Sequence, residues 1–235
     1  MKFIYVLPFI ILSVMGLNCA PANGPLPTQS VIMPLAVGNE WIGKVIQYDV
    51  HGNPDSTWLD TLRVLNSQVV NGETWYYLNG YPPYIQWSRT PNSPYEKDTS
   101  GCVFVMRPDG IYRIQDWNFD SSQRFLSYPV RAHDYVYRVG TGRPDSTGHY
   151  LSYSYKGVDT IGLTVHVPAG SFSTIVYSIG SYSQSSDVIS EGIGPGEYYA
   201  PGIGLVQYGC FEEDGRTLAP QLPQAVWQLI RAELH

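Results

Sequence analysis

Five histidines, at positions 51, 133, 149, 166 and 235, are the side chains best suited to metal binding or proton transfer, and they show no metal-like spacing to one another. Zinc is commonly held by two histidines one helical turn apart with a glutamate between them. No His-Glu-x-x-His occurs and no histidine stands beside an acid cluster, so no metal ligand is assigned. A serine nucleophile of the elbow type needs Gly-x-Ser-x-Gly on a sharp strand-to-helix turn. That pattern is missing, and Gly170-Ser171-Phe172-Ser173 falls where a hairpin is expected. Triads assemble in space rather than in sequence, so a hydrolase built from scattered residues stands as the third functional reading. The nearest acid pair in a glycine-rich stretch is Glu191 and Glu197. Glycoside cleavage would use two such carboxyls, but their commoner use is to accept backbone hydrogen bonds or face water. The string Asp116-x-Asn118-x-Asp120-x-Ser122 sets oxygen ligands at alternate positions, as a calcium loop does. Ser121 and Ser127 replace the required glycine and bidentate carboxylate, and Trp117 and Phe119 alternate with the polar residues as in a strand with one wet face. Glu212-Glu213-Asp214 reads as a solvated turn. No catalytic residue, metal or cofactor is expected.

Aromatic residues carry the binding hypothesis. Trp75-Tyr76-Tyr77, Tyr81-Pro82-Pro83-Tyr84-Ile85-Gln86-Trp87 and Tyr198-Tyr199 would stack on sugar rings if exposed on one surface, or line a greasy pocket if turned inward. The expected ligand-binding set is therefore Trp75, Tyr77, Tyr84, Trp87, Glu197, Tyr198 and Tyr199. Residues 81 to 95, with prolines at 82, 83, 91 and 94, would form a rim for such a face. The competing use of these rings is to fill a β core and its edges.

The elements that must position them read as strands. Tyr (19), Gly (23) and Pro (18) are abundant, a mixture that favours half-buried pleated surfaces joined by tight turns, and helix-period apolar stripes are missing from the body. Strands are predicted over Val45–Val50, Thr57–Val64, Thr74–Leu78, Val103–Met106, Ile111–Ile114, Arg124–Tyr128, Tyr135–Val139, Tyr150–Tyr155, Gly162–Val167, Phe172–Ile179 and Leu205–Phe211. Turn chemistry lies between them at His51–Ser56, Val70-Asn71-Gly72-Glu73, Arg107-Pro108-Asp109-Gly110 and Pro168-Ala169-Gly170-Ser171. The tail from Ala225 to Leu234 fits a strand or a helix and is assigned as a strand. Ten or more strands joined in sequence by short turns pair antiparallel and must curl or stack, so the expected fold class is all-β. Alternation alone leaves a β-sandwich, a closed barrel and an open half-barrel.

Two segments narrow this. Val165-His166-Val167-Pro168-Ala169-Gly170-Ser171-Phe172 and Glu197-Tyr198-Tyr199-Ala200-Pro201-Gly202-Ile203-Gly204-Leu205-Val206 resemble motifs of secreted proteins and lipoproteins of bacterial envelopes, some of them similar to the LolA and LolB half-barrels. The resemblance covers roughly residues 158 to 210. It implies a single, strongly curved antiparallel sheet whose concave face holds acyl chains or another amphiphile. Read as structure, Pro168 and Gly170 close a hairpin, and Gly202 and Gly204 supply backbone conformations unavailable to other residues.

The N-terminus gives an address. Lys2, an apolar run from Phe3 to Leu17 and then Cys19 form an export signal, too short to span a bilayer as a helix. Cys19 followed by Ala20-Pro21-Ala22-Asn23-Gly24-Pro25 is similar to a bacterial lipoprotein start, which implies acylation of Cys19. Asn18 and Gly16 depart from that pattern, and cleavage after Ala22 would instead release a soluble protein. The expected organisation is a signal over 1–19, a flexible leader over 20–34 and one β domain over 35–235. Cys102 and Cys210 are left as a pair for a disulfide in an oxidising compartment, or as two small buried hydrophobes. The formal charge of -6, without a basic stripe, speaks against nucleic-acid binding.

The sequence thus predicts a monomeric lipoprotein of the outer membrane or periplasm, anchored by acyl chains, with a non-enzymatic role. Carriage of a hydrophobic or amphiphilic ligand is the first reading. Recognition of glycan or cell wall through exposed aromatics is the second.

Overall fold

In the computed structural model, which describes residues 31–49, 51–80, 101–115, 118–141, 152–185, 188–211 and 223–235, every element among the described residues is a strand. In chain order these are β1 (Glu40–Tyr48), β2 (Pro54–Val70), β3 (Glu73–Leu78), β4 (Cys102–Arg107), β5 (Gly110–Gln115), β6 (Asn118–Ser127), β7 (Tyr135–Thr141), β8 (Ser152–Val167), β9 (Gly170–Ser185), β10 (Val188–Ala200), β11 (Gly204–Phe211) and β12 (Pro223–Glu233). They form one antiparallel sheet in the order β6-β5-β4-β3-β2-β1-β12-β11-β10-β9-β8-β7. Nearly every neighbour in space is a neighbour in sequence, as short turns dictate. The exception is the β1–β12 ladder, which joins the first strand to the last.

So wide a sheet cannot stay flat, and it curls until its two edges approach. The result is a nearly closed, barrel-like sheet. Edge strands β6 and β7 meet without a ladder. Arg124 of β6 instead donates from Nε to the Val136 carbonyl of β7 at 3.2 Å and from its guanidinium to the Tyr135 carbonyl at 3.3 Å. Behind this seam, the Tyr177 hydroxyl of β9 donates to the Ser127 carbonyl at 3.1 Å.

The turns explain the hairpins. Asn71 and Gly72 both take positive φ, 53° and 82°, the mirror-image turn whose twist matches the flanking strands β2 and β3. Bulges explain where alternation breaks. In β6 one extra residue, Phe125, lies between the partners of Ile111 and Tyr112, and the adjacent Phe125 and Leu126 both enter the core. Val206 is the extra residue in β11, and Leu205 and Val206 are likewise both buried.

The main core fills the concave side. Trp41, Val45, Leu62, Val64, Phe104, Ile111, Tyr177, Tyr199, Leu205 and Trp227 all belong to it. Gly43 of β1 is required by this packing, because a Cβ there would lie 1.9 Å from the Trp227 indole. A smaller cluster of Trp75, Val103, Val105 and Ile114 occupies the opposite face of β3, β4 and β5, so β4 is apolar on both sides.

Several expectations are revised. Residues 31–34, assigned to the leader, are part of the domain: Ile32 and Met33 are buried in the core, and the Gly202 amide donates to the Val31 carbonyl at 2.8 Å. The predicted turn at His51–Ser56 is shorter, since β2 begins at Pro54. Two short strands expected near Tyr150–Tyr155 and Gly162–Val167 are one strand, β8, which keeps its pairing with β9 across irregularities at Val158/Thr160 and Ile161/Leu163. Strand β10 was not expected. The tail is a strand, β12.

Candidate functional site

Alternation along β8, β9 and β10 turns Lys156, Tyr177, Glu197 and Tyr199 to the concave side, and the Phe125 bulge brings that ring across from β6. Lys156 Nζ donates to Glu197 Oε2 at 2.7 Å, and both side chains are buried, at 1% and 2% exposure. The Tyr199 hydroxyl donates to the same carboxylate oxygen at 2.9 Å. The ammonium lies 3.7 Å from the Phe125 ring centroid and 5.4 Å from that of Tyr177. Tyr177 and Tyr199 meet edge to face, and Phe104 leans on Phe125.

Burial pushes the Lys156 ammonium below the ordinary lysine value. Glu197 pulls the other way, and Arg113 of β5 adds repulsion that lowers it further. The Tyr177 and Tyr199 hydroxyls are raised by the same loss of water and stay protonated as donors. Two buried polar atoms, Ser127 Oγ and Trp227 Nε1, have no hydrogen-bond partner among the described residues.

On the opposite face, Arg107 at the end of β4 lies over the second cluster. Its guanidinium sits 4.5 Å from the Tyr112 ring centroid and 5.9 Å from that of Trp75. It grips both Glu73 carboxylate oxygens, at 2.7 and 2.8 Å, and donates to Ser122 Oγ at 3.0 Å. This pair is partly exposed. Arg107 holds the Glu73 carboxyl below its ordinary value, and Glu73 raises Arg107 in turn. Tyr112 donates to Asp109 at 2.7 Å, and Tyr77 donates to Gln68 at 3.0 Å. Planar rings, a carboxylate, a guanidinium and an amide are thus fixed on one patch of sheet.

The sequence-selected residues divide between these places. Trp75 is fully buried beneath Arg107, while Tyr77 is half-buried beside it. Glu197 and Tyr199 face the concave core, and Tyr198 is half-buried against that core with its hydroxyl raised by burial. Tyr84, Trp87 and Cys19 lie outside the described residues. Cys102 is buried in the core, and the side chain of Cys210 is outside the described set. Asn118–Ser122 of the calcium-like string belong to β6, while Asp116 and Trp117 are not described; among the described residues no group of metal-ligating side chains converges. Glu212–Asp214 are also outside the described residues.

A Ser–His contact occurs among the described residues. His166 Nδ1 and Ser171 Oγ are 2.7 Å apart as cross-strand partners of the β8–β9 hairpin, both exposed. Sequence reasoning missed Lys156 and Arg107. Lys156 falls one residue past the predicted strand Tyr150–Tyr155, and Arg107 is the first residue of the predicted turn Arg107–Gly110.

No family model matches the chain, and no curated protein matches it. Two solved structures are similar. One is a protein of Bacteroides fragilis predicted to be exported, with a YmcC-like fold: 12% identity, TM-score 0.49, over 87% of this chain and 100% of that one. The other is a protein of Parabacteroides distasonis predicted to be a lipoprotein: 14% identity, TM-score 0.47, over 87% of this chain and 99% of that one.

Proposed function

We propose that this is an exported protein of the bacterial envelope, tethered through Cys19, with a non-enzymatic role in binding carbohydrate of the wall or cell surface. The single observation that carries the binding role is the convex patch of Arg107, Glu73, Tyr112, Tyr77 and Gln68. Sugars are recognised by flat rings against their C–H faces and by fixed planar polar groups against their hydroxyls. The patch supplies both, and its hydrogen bonds hold the polar groups in place before any ligand arrives. Export is supported by the charged, apolar, cysteine-terminated N-terminus.

The amphiphile reading draws on the curvature of the sheet and on the ladder-free β6–β7 seam. Against it, Trp41, Phe104, Tyr177, Tyr199 and Trp227 fill the concave side, each essentially without exposure, so an acyl chain would have to displace them. Calorimetric titration of the mature protein with soluble wall and capsule oligosaccharides, alongside displacement of a fluorescent fatty acid, separates the two. Saccharide binding that weakens at least several-fold in both Tyr112→Ala and Tyr77→Ala supports the patch. Binding of the fatty acid alone would move the function to the concave side, and saccharide binding indifferent to both substitutions would remove the patch.

A further inference from the structure

Lys156 and Glu197 stand on β8 and β10, with β9 between them, and meet on the concave face in a site walled by Phe125, Tyr177 and Tyr199. An ammonium has three N–H donors, and among the described residues Glu197 Oε2 is the one oxygen that Lys156 reaches. Its other surroundings are ring faces. A buried ammonium that reaches one described oxygen recovers little of its lost hydration, while the Glu197 carboxylate facing it accepts from both Lys156 and Tyr199. Burial disfavours the charged amine, and the 2.7 Å contact gives its proton a direct path to the carboxylate as the reaction begins. The two groups are then held at contact distance, without water between them, for the lifetime of the folded protein. That arrangement raises the effective concentration of an intramolecular reaction by orders of magnitude.

We propose that Lys156 and Glu197 form an intramolecular amide, a covalent cross-link between β8 and β10. The neutral Nζ attacks Cδ of Glu197 to form the C–N bond. Nitrogen gives up a proton, and the carboxyl hydroxyl takes it as the C–O bond breaks and water leaves. The product is one amide and one water, with no oxidant, reductant or further reactant. Tyr199, whose hydroxyl already donates to Glu197 Oε2, is placed to stabilise negative charge on that oxygen in the tetrahedral intermediate. Departure of water into bulk solvent drives the step, and the product replaces two buried ions by one N–H and one C=O.

The cross-link has a readout independent of any ligand. No Lys or Arg occurs between Lys156 and Arg216, so trypsin acting on the denatured, uncross-linked chain cuts after Lys156 and releases residues 157–216 separately. The amide blocks that cut. The exported protein, held folded at neutral pH for days and then denatured, should yield a single tryptic peptide spanning residues 139–216, lighter than its sequence by one water. The Lys156→Arg chain keeps a cation at the position but has no amine able to form this amide, and it should be cut there completely. Tyr199→Phe should slow the appearance of the cross-linked peptide several-fold. Complete cleavage after Lys156 in the aged wild-type protein, with both peptides at full mass, would overturn the proposal.

Discussion

Lys156–Glu197 and Arg107–Glu73 each join a cation to a carboxylate at 2.7 Å on the same curled sheet, and they behave as opposites because one faces inward and the other outward. The outward pair is satisfied several times over. The guanidinium fork matches the carboxylate bidentately, a serine takes another N–H, two rings lie beneath, and water reaches the rest. Removing one partner therefore leaves groups that water can solvate. The inward pair has no water to fall back on. Its stability depends on both members being present, and its geometry concentrates reactive groups rather than displaying them. The face of the sheet, more than the identity of the ions, sets what each pair can do.

The largest test of this contrast is Lys156→Ala, which strands the Glu197 carboxylate in the core. Loss of about 3–5 kcal/mol of unfolding free energy is expected, measured by urea denaturation. A loss near that of a surface pair would erase the distinction. Packing on the concave side is tested next by Gly43→Ala, whose Cβ would intrude into the Trp227 indole. A cost of about 1–3 kcal/mol in the same assay is expected, whereas a neutral outcome would mean the concave side yields readily. Arg107→Ala should cost only about 0.5–1 kcal/mol in stability while weakening saccharide binding, so the two readouts separate. The smallest effect is in acid. Arg107 holds Glu73 below its ordinary value of 4.5, so this carboxylate stabilises the fold above that pH, and its contribution disappears as the pH falls through the lowered folded-state value. Because the pair is solvated, the loss should be roughly a few tenths of a kcal/mol, and Glu73→Gln should abolish it.

The strand pattern was readable where turn residues and alternation agreed, as at Asn71-Gly72 and Pro108-Asp109-Gly110. It was not readable in β10, where Gly192, Gly194, Pro195 and Gly196 look like a loop and neighbouring β9 supplies the pairing that propensity does not. The doublets Phe125-Leu126 and Leu205-Val206 break alternation because each sits at a bulge, a feature set by the partner strand and invisible in local sequence. The candidate sites were half legible. Trp75, Tyr77, Glu197 and Tyr199 were selected as chemistry-bearing, but which face each takes depends on register. The cations that complete both clusters come from strands distant in sequence, Lys156 lying 41 residues from Glu197.

The β1–β12 ladder brings the two ends of the described chain together, and the backbone amide of His235 donates to Asn39 Oδ1 at 2.8 Å. In the natural order this ladder carries the largest loop-closure entropy of the sheet, because nearly the whole domain separates its partners. A circular permutant with a short linker from His235 to the segment before β1, and new termini at Asn71/Gly72, would turn that distant ladder into a local hairpin. Such a chain should reach the same architecture and refold faster than the parent, at the expense of one two-residue turn.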